Sequence, residues 1–145
     1  MHGTLDIPRV YRCHIDKAVK FKNEFGLLEN IESWTFVEWS RANDLTNGIN
    51  YPTNMLFTNV LDVLYEMYDI EKYKTISENM KKEIVKESYN GKFFVDNAVR
   101  DDQNNLILND EWTETCQYYA FWTGVADKDS FKELYNIIFE EIKDY

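Results

Sequence analysis

The first apolar positions of the chain recur every three or four residues, the spacing that places side chains on one face of an α-helix. They are Tyr11, Ile15, Ala18, Phe21, Phe25 and Leu28. Gly26 lies in the last turn of this pattern and predicts that the helix ends there. From Asn30 to Asn50 the helical period disappears and turn-forming residues accumulate. We therefore predict a loop, with a short extended piece from Trp34 to Val37.

A second and a third helix are predicted after this loop. Pro52 suits the first turn of the second helix, where its missing N–H is harmless. The apolar residues of that helix fall on one stripe: Leu56, Val60, Val63, Leu64 and Met67. Asp69 resembles the N-cap of the third helix. The residues of the third helix that are predicted to face inward are Tyr73, Ile76, Met80 and Ile84. The connection is only a few residues long, which predicts a helical hairpin.

The segment from 90 to 110 interrupts the helical period. Its turn-forming residues separate two short strand-like runs, KFFV at 92–95 and NLIL at 105–108. This arrangement predicts a short β-hairpin at about 92–108.

Helical spacing returns from Glu114 to Thr123, and Gly124 predicts the end of that helix. Ser130 followed by Glu133 resembles a capping box at the start of a last helix. The apolar residues of that helix are Phe131, Leu134, Tyr135, Ile138 and Ile142. The pattern as a whole predicts a mainly all-α fold, built from helical hairpins with long loops between them.

Length and charge narrow the classes of function. At 145 residues, the chain has the length of a single domain, 1–145. Its net charge of −10 repels the negatively charged phosphate backbone of nucleic acids, so we expect no nucleic-acid partner. No apolar run is long enough for a transmembrane helix, and the N-terminus lacks the apolar core of a signal peptide. We therefore expect no membrane partner and a cytoplasmic location. The isolated thiols of Cys13 and Cys116 suit a reducing compartment.

Neither a cofactor nor a metal ion is expected. The chain has no glycine-rich motif of the kind that cradles phosphate groups. The acidic segment Asp96–Asp102 lacks the glycine and the terminal glutamate of a calcium-binding EF-hand loop.

Aromatic residues make up 16% of the chain and gather in two clusters before predicted helices. The first consists of Trp34, Phe36, Glu38, Trp39, Arg41, Asn43, Asn50 and Asn54. The second is the segment 109–122, NDEWTETCQYYAFW. Sugar recognition requires flat aromatic faces together with carboxylates and amides that bind hydroxyl groups. Glycoside hydrolysis requires two carboxylates, for which Glu38 and Glu114 are the candidates.

Structural roles for the same residues remain open at this point. Trp34 and Phe36 could simply pack beneath the loop, and Glu38 could pair with Arg41. Acidic residues near a helix start, such as Glu111 and Glu114, favour the helix dipole. Three aromatic residues of the second cluster could belong to the core instead of a site: Tyr118, Tyr119 and Trp122.

Four stretches together resemble the catalytic domain of bacterial α-L-rhamnosidases and related six-hairpin glycosidases. They are GLLENIESWTFVEWSRAND, NYPTNMLF, GKFFVDNAVRD and TETCQYYAFWTGVA. The resemblance runs from about Phe25 to Phe139 and implies an (α/α)6 toroid of helical hairpins with its sugar pocket at one end. The implied substrate-binding residues are Trp34, Glu38, Trp39, Glu114 and Tyr118, and Asn50 and Asn54 of the first cluster complete the predicted site. The implied reaction is hydrolysis of terminal α-L-rhamnosides with inversion, by a carboxylic acid and a carboxylate base.

The sequence predicts fewer helices than a complete toroid contains. The segments that carry the general acid and the general base in the family have no matching stretch in this sequence. We therefore expect the middle part of a barrel, with apolar surface at its open edges, and either self-association or a partner chain that completes the ring. A non-catalytic sugar-binding or interaction protein, a structural remnant without a ligand and a six-hairpin glycosidase for another sugar remain alternatives.

Overall fold

The computed structural model describes residues 8–32 and 35–141 of the chain. The helices are α1 (Arg9–Val19), α2 (Tyr51–Tyr68), α3 (Glu71–Ser88), α4 (Glu114–Trp122) and α5 (Lys132–Tyr135). A π-helix, Asn136–Glu141, continues α5, and a 3₁₀ helix, Arg41–Leu45, lies in the first long loop. The strands are β1 (Ile49–Asn50), β2 (Asn97–Arg100) and β3 (Leu106–Leu108). The fold is therefore mainly helical with one small sheet, which confirms the predicted fold class.

The hairpin of α2 and α3 forms the centre of the fold. The Asn50 side chain caps α2 by accepting a hydrogen bond from the Thr53 N–H at 2.9 Å, and Pro52 occupies the first turn as predicted. Between the two helices, the Ser77 hydroxyl donates to the Thr58 carbonyl at 3.2 Å. The predicted inward residues of α3 are confirmed for Tyr73, Met80 and Ile84, which are buried, while Ile76 packs against the core from a partly buried position.

The predicted role of Asp69 is wrong. Asp69 does not begin α3; it ends α2 in the left-handed conformation, with φ of 54°. Aspartate tolerates this conformation better than most residues. Ile70 is the N-cap residue of α3 and makes no side-chain cap hydrogen bond.

The stripe predicted on α2 divides between the core and the solvent. Leu64 is buried, but the other four residues of the stripe are exposed: Leu56, Val60, Val63 and Met67. The face of α2 that packs into the core instead carries Met55, Thr58 and Leu61. A helix with apolar residues on two faces offers two candidate core faces, and tertiary packing selects between them.

The first helix is shorter than predicted. α1 ends at Val19, and Gly26 lies in a separate turn with φ of +76°. In that turn the Asn23 side chain accepts hydrogen bonds from the N–H groups of Phe25 and Leu27. This local alternative to a helical backbone, typical of asparagine, lets Leu27 enter the core.

The three strands form an antiparallel sheet in the order β1-β2-β3. Ile49 pairs with Ala98, and Ala98 pairs with Leu108. The predicted hairpin therefore exists, but its first strand begins at Asn97 and not in the KFFV run. At the edge of the sheet, the backbone of Gly48 approaches the Ala98 carbonyl closely, with Gly48 at φ of +70°.

The predicted capping box before the last helix is also wrong. α5 begins at Lys132, and its N-cap residue is Phe131, which makes no side-chain cap hydrogen bond. The Ser130 N–H is instead bound by the Asp127 carboxylate at 2.9 Å. Ile142, assigned to the same predicted helix, lies outside the described residues.

Candidate functional site

The two aromatic clusters of the sequence meet at one surface of the fold. The Tyr119 hydroxyl on α4 donates to the Val37 carbonyl in the first loop at 3.0 Å. Arg41, the first residue of the 3₁₀ helix in the same loop, forms an ion pair with Glu111, just before α4. These two contacts hold segment 35–41 against segment 109–122, and we call the exposed residues of the two segments the Trp39 surface.

Trp39 is the most exposed large apolar side chain of this surface. Its indole is 87% exposed and stands edge-on to the Phe36 ring, with ring centroids 5.0 Å apart. Glu38, the preceding residue, is also exposed. Trp39 and Glu38 are therefore neighbouring exposed residues of the same loop. Trp34, the other predicted tryptophan of the site, lies outside the described residues.

Glu114 and Tyr118 lie one turn apart on α4. Glu114 is the first residue of the helix and is exposed, and the Tyr118 ring is 41% exposed. Partial burial and the neighbouring Glu114, which also shares a hydrogen bond with Tyr118, raise the pKa of the Tyr118 phenol. The Tyr118 ring also packs on Phe139, with centroids 5.6 Å apart. Tyr118 thus belongs partly to the fold and partly to the surface.

Asn50 and Asn54 do not take part in this surface, contrary to their predicted role in substrate binding. The Asn54 side chain is fully buried and accepts from the Leu28 N–H at 2.7 Å while donating to the Leu28 carbonyl at 3.0 Å. The Asn50 side chain accepts from Thr53 and donates to the Leu45 carbonyl at 2.8 Å. Both amides are used within the fold, where they hold loop backbone against α2.

Arg41 does not form the ion pair with Glu38 that the sequence analysis gives as an alternative. The Arg41 guanidinium pairs with Glu111 and not with Glu38. Since the side chains of Arg41 and Glu111 are both substantially exposed, this ion pair contributes little to the stability of the fold.

One buried carboxylate near the Trp39 surface, Asp96, is not predicted by the sequence. The Asp96 side chain is fully buried and accepts hydrogen bonds of 2.7 Å from both the N–H and the hydroxyl of Thr113. Burial raises the pKa of Asp96 to about 6, and the nearby Glu111 adds to this shift. Thr113 in turn caps α4 through the Cys116 N–H. Asp96 therefore positions the start of the helix that carries Glu114.

Two further tryptophans, Trp112 and Trp122, belong to segment 109–122. Trp112 stacks on the Phe93 ring with centroids 3.8 Å apart, and 41% of it is exposed. Trp122 is 63% exposed and stacks beside Tyr119 at 5.7 Å. The second aromatic cluster is thus divided between packing and exposure, and Tyr119 is the member that connects it to the first.

Within residues 8–32 and 35–141, no group of three or more histidine, cysteine or acidic side chains could hold a metal ion. No helix of that part of the chain is long and apolar enough to cross a membrane. Cys116 is buried and its pKa is raised by burial, whereas Cys13 is exposed.

Comparison with known proteins identifies no relative: no family model, no curated protein and no solved structure matches this chain.

Proposed function

We propose that this chain is part of an α-L-rhamnosidase-like glycoside hydrolase and that it binds a rhamnoside-type sugar at the Trp39 surface. The observation that carries the proposal is Trp39, an indole 87% exposed beside the exposed carboxylate of Glu38. Exposed aromatic side chains offer a large contact area at low entropic cost.

The chemistry of the surface suits a deoxy sugar. A six-carbon sugar with a methyl group presents an apolar C–H face, which an indole face can cover. Carboxylates such as Glu38 and Glu114 are strong acceptors for the hydroxyl groups on the opposite side. The Tyr119 contact to the Val37 carbonyl supports this arrangement because it fixes the loop that presents Trp39.

The proposed reaction is hydrolysis of a terminal α-L-rhamnoside with inversion, which uses one carboxylic acid and one carboxylate base with water between them. Glu38 and Glu114 are the candidates for these groups in the chain. A general acid works best where burial keeps it protonated at neutral pH, and both side chains are exposed. That exposure favours a second candidate function, which is sugar binding without turnover.

Calorimetric titration with L-rhamnose tests the binding part of the proposal. We expect weak, saturable binding that Trp39→Ala reduces at least tenfold. The matched control is Ile107→Ala, an exposed residue on β3. L-fucose, another deoxy sugar with different hydroxyl orientations, controls for stereochemistry. Absence of rhamnose binding, or equal binding by the Trp39→Ala variant, would contradict the proposal.

Release of 4-nitrophenol from the α-L-rhamnoside tests the catalytic part. Turnover that disappears in Glu38→Gln or Glu114→Gln supports hydrolysis by this chain. Rhamnose binding without any turnover supports the second candidate function instead.

A further inference from the structure

The exposed face of α4 carries three side chains in line: Glu114, Tyr118 and Trp122. They are spaced four residues apart, and residues at this spacing lie one above another on the same face of a helix. The opposite face of α4 is buried and includes Cys116 and Gln117. Trp122, the last residue of α4, therefore shares its face with Glu114, a candidate sugar-binding residue.

Tyr119 connects Trp122 to the loop that contains Trp39. The Tyr119 hydroxyl donates to the Val37 carbonyl in that loop at 3.0 Å. The Tyr119 ring stacks beside Trp122, with ring centroids 5.7 Å apart and an angle of 29° between the ring planes. Trp122 nevertheless remains 63% exposed. The Tyr119 ring thus supports the Trp122 indole without covering it.

The exposed face of α4 is longer than one sugar ring. Glu114 and Trp122 are eight residues apart, which corresponds to about 12 Å along the helix axis. This length exceeds the width of a single pyranose ring. A ring bound beside Glu114 therefore leaves room for a second ring before the end of the helix.

We propose that Trp122 is the stacking platform for a second sugar, so that the substrate class is a rhamnosyl oligosaccharide. This inference rests on the proposed function, because a rhamnose bound at Trp39 and Glu114 sets the position of the second ring. An exposed indole suits the C–H face of a pyranose, since aromatic rings give a large contact area at low entropic cost. The Tyr118 phenol shares a hydrogen bond with Glu114 and offers a polar partner to the hydroxyl groups of either ring.

A flat aromatic aglycone fits this face less well than a sugar does. Pockets for apolar ligands enclose most of the ligand surface, whereas Trp122 lies on an open helix face. An aromatic group there would remain largely in water and would leave the Tyr118 phenol and the Glu114 carboxylate without a ligand partner. A sugar ring can cover the indole with its C–H face while its hydroxyl groups bind these polar groups and water.

The test compares three ligands by calorimetric titration of the complete chain. They are L-rhamnose, rutinose (a disaccharide in which α-L-rhamnose is linked to glucose) and phenyl α-L-rhamnoside. We expect rutinose to bind about two- to tenfold more tightly than L-rhamnose, which is the gain expected from one additional aromatic contact.

Variants of Trp122 localise this gain. Trp122→Ala should reduce the ratio of rutinose affinity to L-rhamnose affinity to about one. Trp122→Leu retains an apolar side chain but removes the flat ring, so it should lower the same ratio and also serves if Trp122→Ala does not fold. Tyr11→Ala removes an exposed aromatic ring on α1, outside the two segments of the Trp39 surface, and should leave the ratio as it is in the parent chain.

Three results would overturn this inference and leave the proposed function intact. The first is rutinose binding no more tightly than L-rhamnose, while L-rhamnose binding still depends on Trp39. The second is a full preference for rutinose in folded Trp122→Ala and Trp122→Leu variants. The third is a loss of affinity in these variants for phenyl α-L-rhamnoside alone, which would assign Trp122 to an aromatic aglycone. If neither L-rhamnose nor rutinose binds, the proposed function itself is contradicted, and this inference with it.

Discussion

The side-chain amide of Gln117 binds both polar groups of a single residue, Phe94. The Phe94 N–H donates to the Gln117 carbonyl oxygen at 2.9 Å, and the Gln117 amide nitrogen donates to the Phe94 carbonyl at 2.8 Å. Gln117 is fully buried, so its amide replaces the backbone partner that a strand would give Phe94. This contact holds the FFV run against α4 without a regular sheet.

Gln117→Leu should destabilise the fold strongly. The substitution keeps a side chain of similar size but leaves the buried N–H and carbonyl of Phe94 without these partners. Each unsatisfied buried group costs about 1–3 kcal/mol, so we expect a loss of about 2–4 kcal/mol in the free energy of unfolding. Urea denaturation measures it. Gln103→Leu, at an exposed position in the β2–β3 turn, should change stability by less than about 0.5 kcal/mol.

Asn54→Ala should lower stability without changing sugar affinity. Its amide binds the Leu28 N–H and carbonyl from within α2, so we expect a loss of about 2–3 kcal/mol. The measurement is urea denaturation together with rhamnose titration of the folded variant. A stable Asn54→Ala variant with weakened rhamnose binding would return Asn54 to the sugar site and would contradict its role in holding the loop backbone.

Asp96 should make stability fall as pH rises from about 4 to about 6. Its pKa in the folded chain is raised to about 6 by burial, so between these pH values the folded state binds more protons than the unfolded state. Stability contributed by this proton is present below the unfolded pKa and is lost as pH rises through the folded pKa. Asp96→Asn keeps the shape of the side chain and removes its titration. The difference in unfolding free energy between variant and parent should therefore grow in favour of the variant across this range. A constant difference from about pH 4 to about pH 7 would show that Asp96 does not titrate in this way.

Glu29 should have the opposite pH dependence. Arg100 binds its carboxylate through two hydrogen bonds of 2.6 and 3.0 Å, and these bonds lower the pKa of Glu29. The stabilisation is present above the unfolded pKa, near 4.5, and is lost as pH falls through the lower folded pKa. Glu29→Gln should cost about 1–3 kcal/mol at about pH 7 and progressively less below about pH 4. Glu32→Gln, at an exposed position, is the matched control. Equal losses at about pH 3 and about pH 7 would contradict the assignment.

Tyr119→Phe tests whether rhamnose binding at Trp39 depends on the hydrogen bond between Tyr119 and the loop that contains Trp39. The substitution removes only the hydroxyl that donates to the Val37 carbonyl, and a hydrogen bond of this kind contributes about 1 kcal/mol. We expect a small loss of stability and a reduction of rhamnose affinity of about two- to fivefold. Tyr135→Phe on α5 is a control for the loss of a tyrosine hydroxyl. Unchanged rhamnose affinity in Tyr119→Phe would mean that Trp39 needs no such support.

The hydrophobic pattern predicts α3 well and α2 only in part. On α3 the apolar residues occupy one face, so the pattern has a single solution. On α2 the exposed stripe through Val60 and Met67 is more apolar than the buried face, which includes Asn54 and Thr58. Packing against α3 and α4 decides which face is buried, and periodicity within one helix contains no information about those neighbours.

The sequence predicts members of the candidate site correctly only where a position in a loop makes the side chain exposed. Trp39 and Glu38 lie in a segment that the sequence identifies as a loop, and both are exposed. The partner of Asn54 is Leu28, which lies 26 positions away in the chain, so composition near Asn54 cannot indicate it. Asp96 is missed for the same reason, because its hydrogen-bond partner Thr113 lies 17 positions away in the chain.

Gly48 is a position at which the chain tolerates few substitutions. A Cβ atom at this position would lie 2.2 Å from the Ala98 carbonyl oxygen, and the backbone there is left-handed. Both the space and the conformation disfavour every other residue type. In a library that varies each position in turn, tolerance of substitution should therefore be low at Gly48, which is not one of the residues assigned to the Trp39 surface. A screen for sugar binding would place Gly48 among the essential residues although its requirement comes from the backbone, and only a parallel measurement of folded protein would separate residues needed for folding from residues needed for binding.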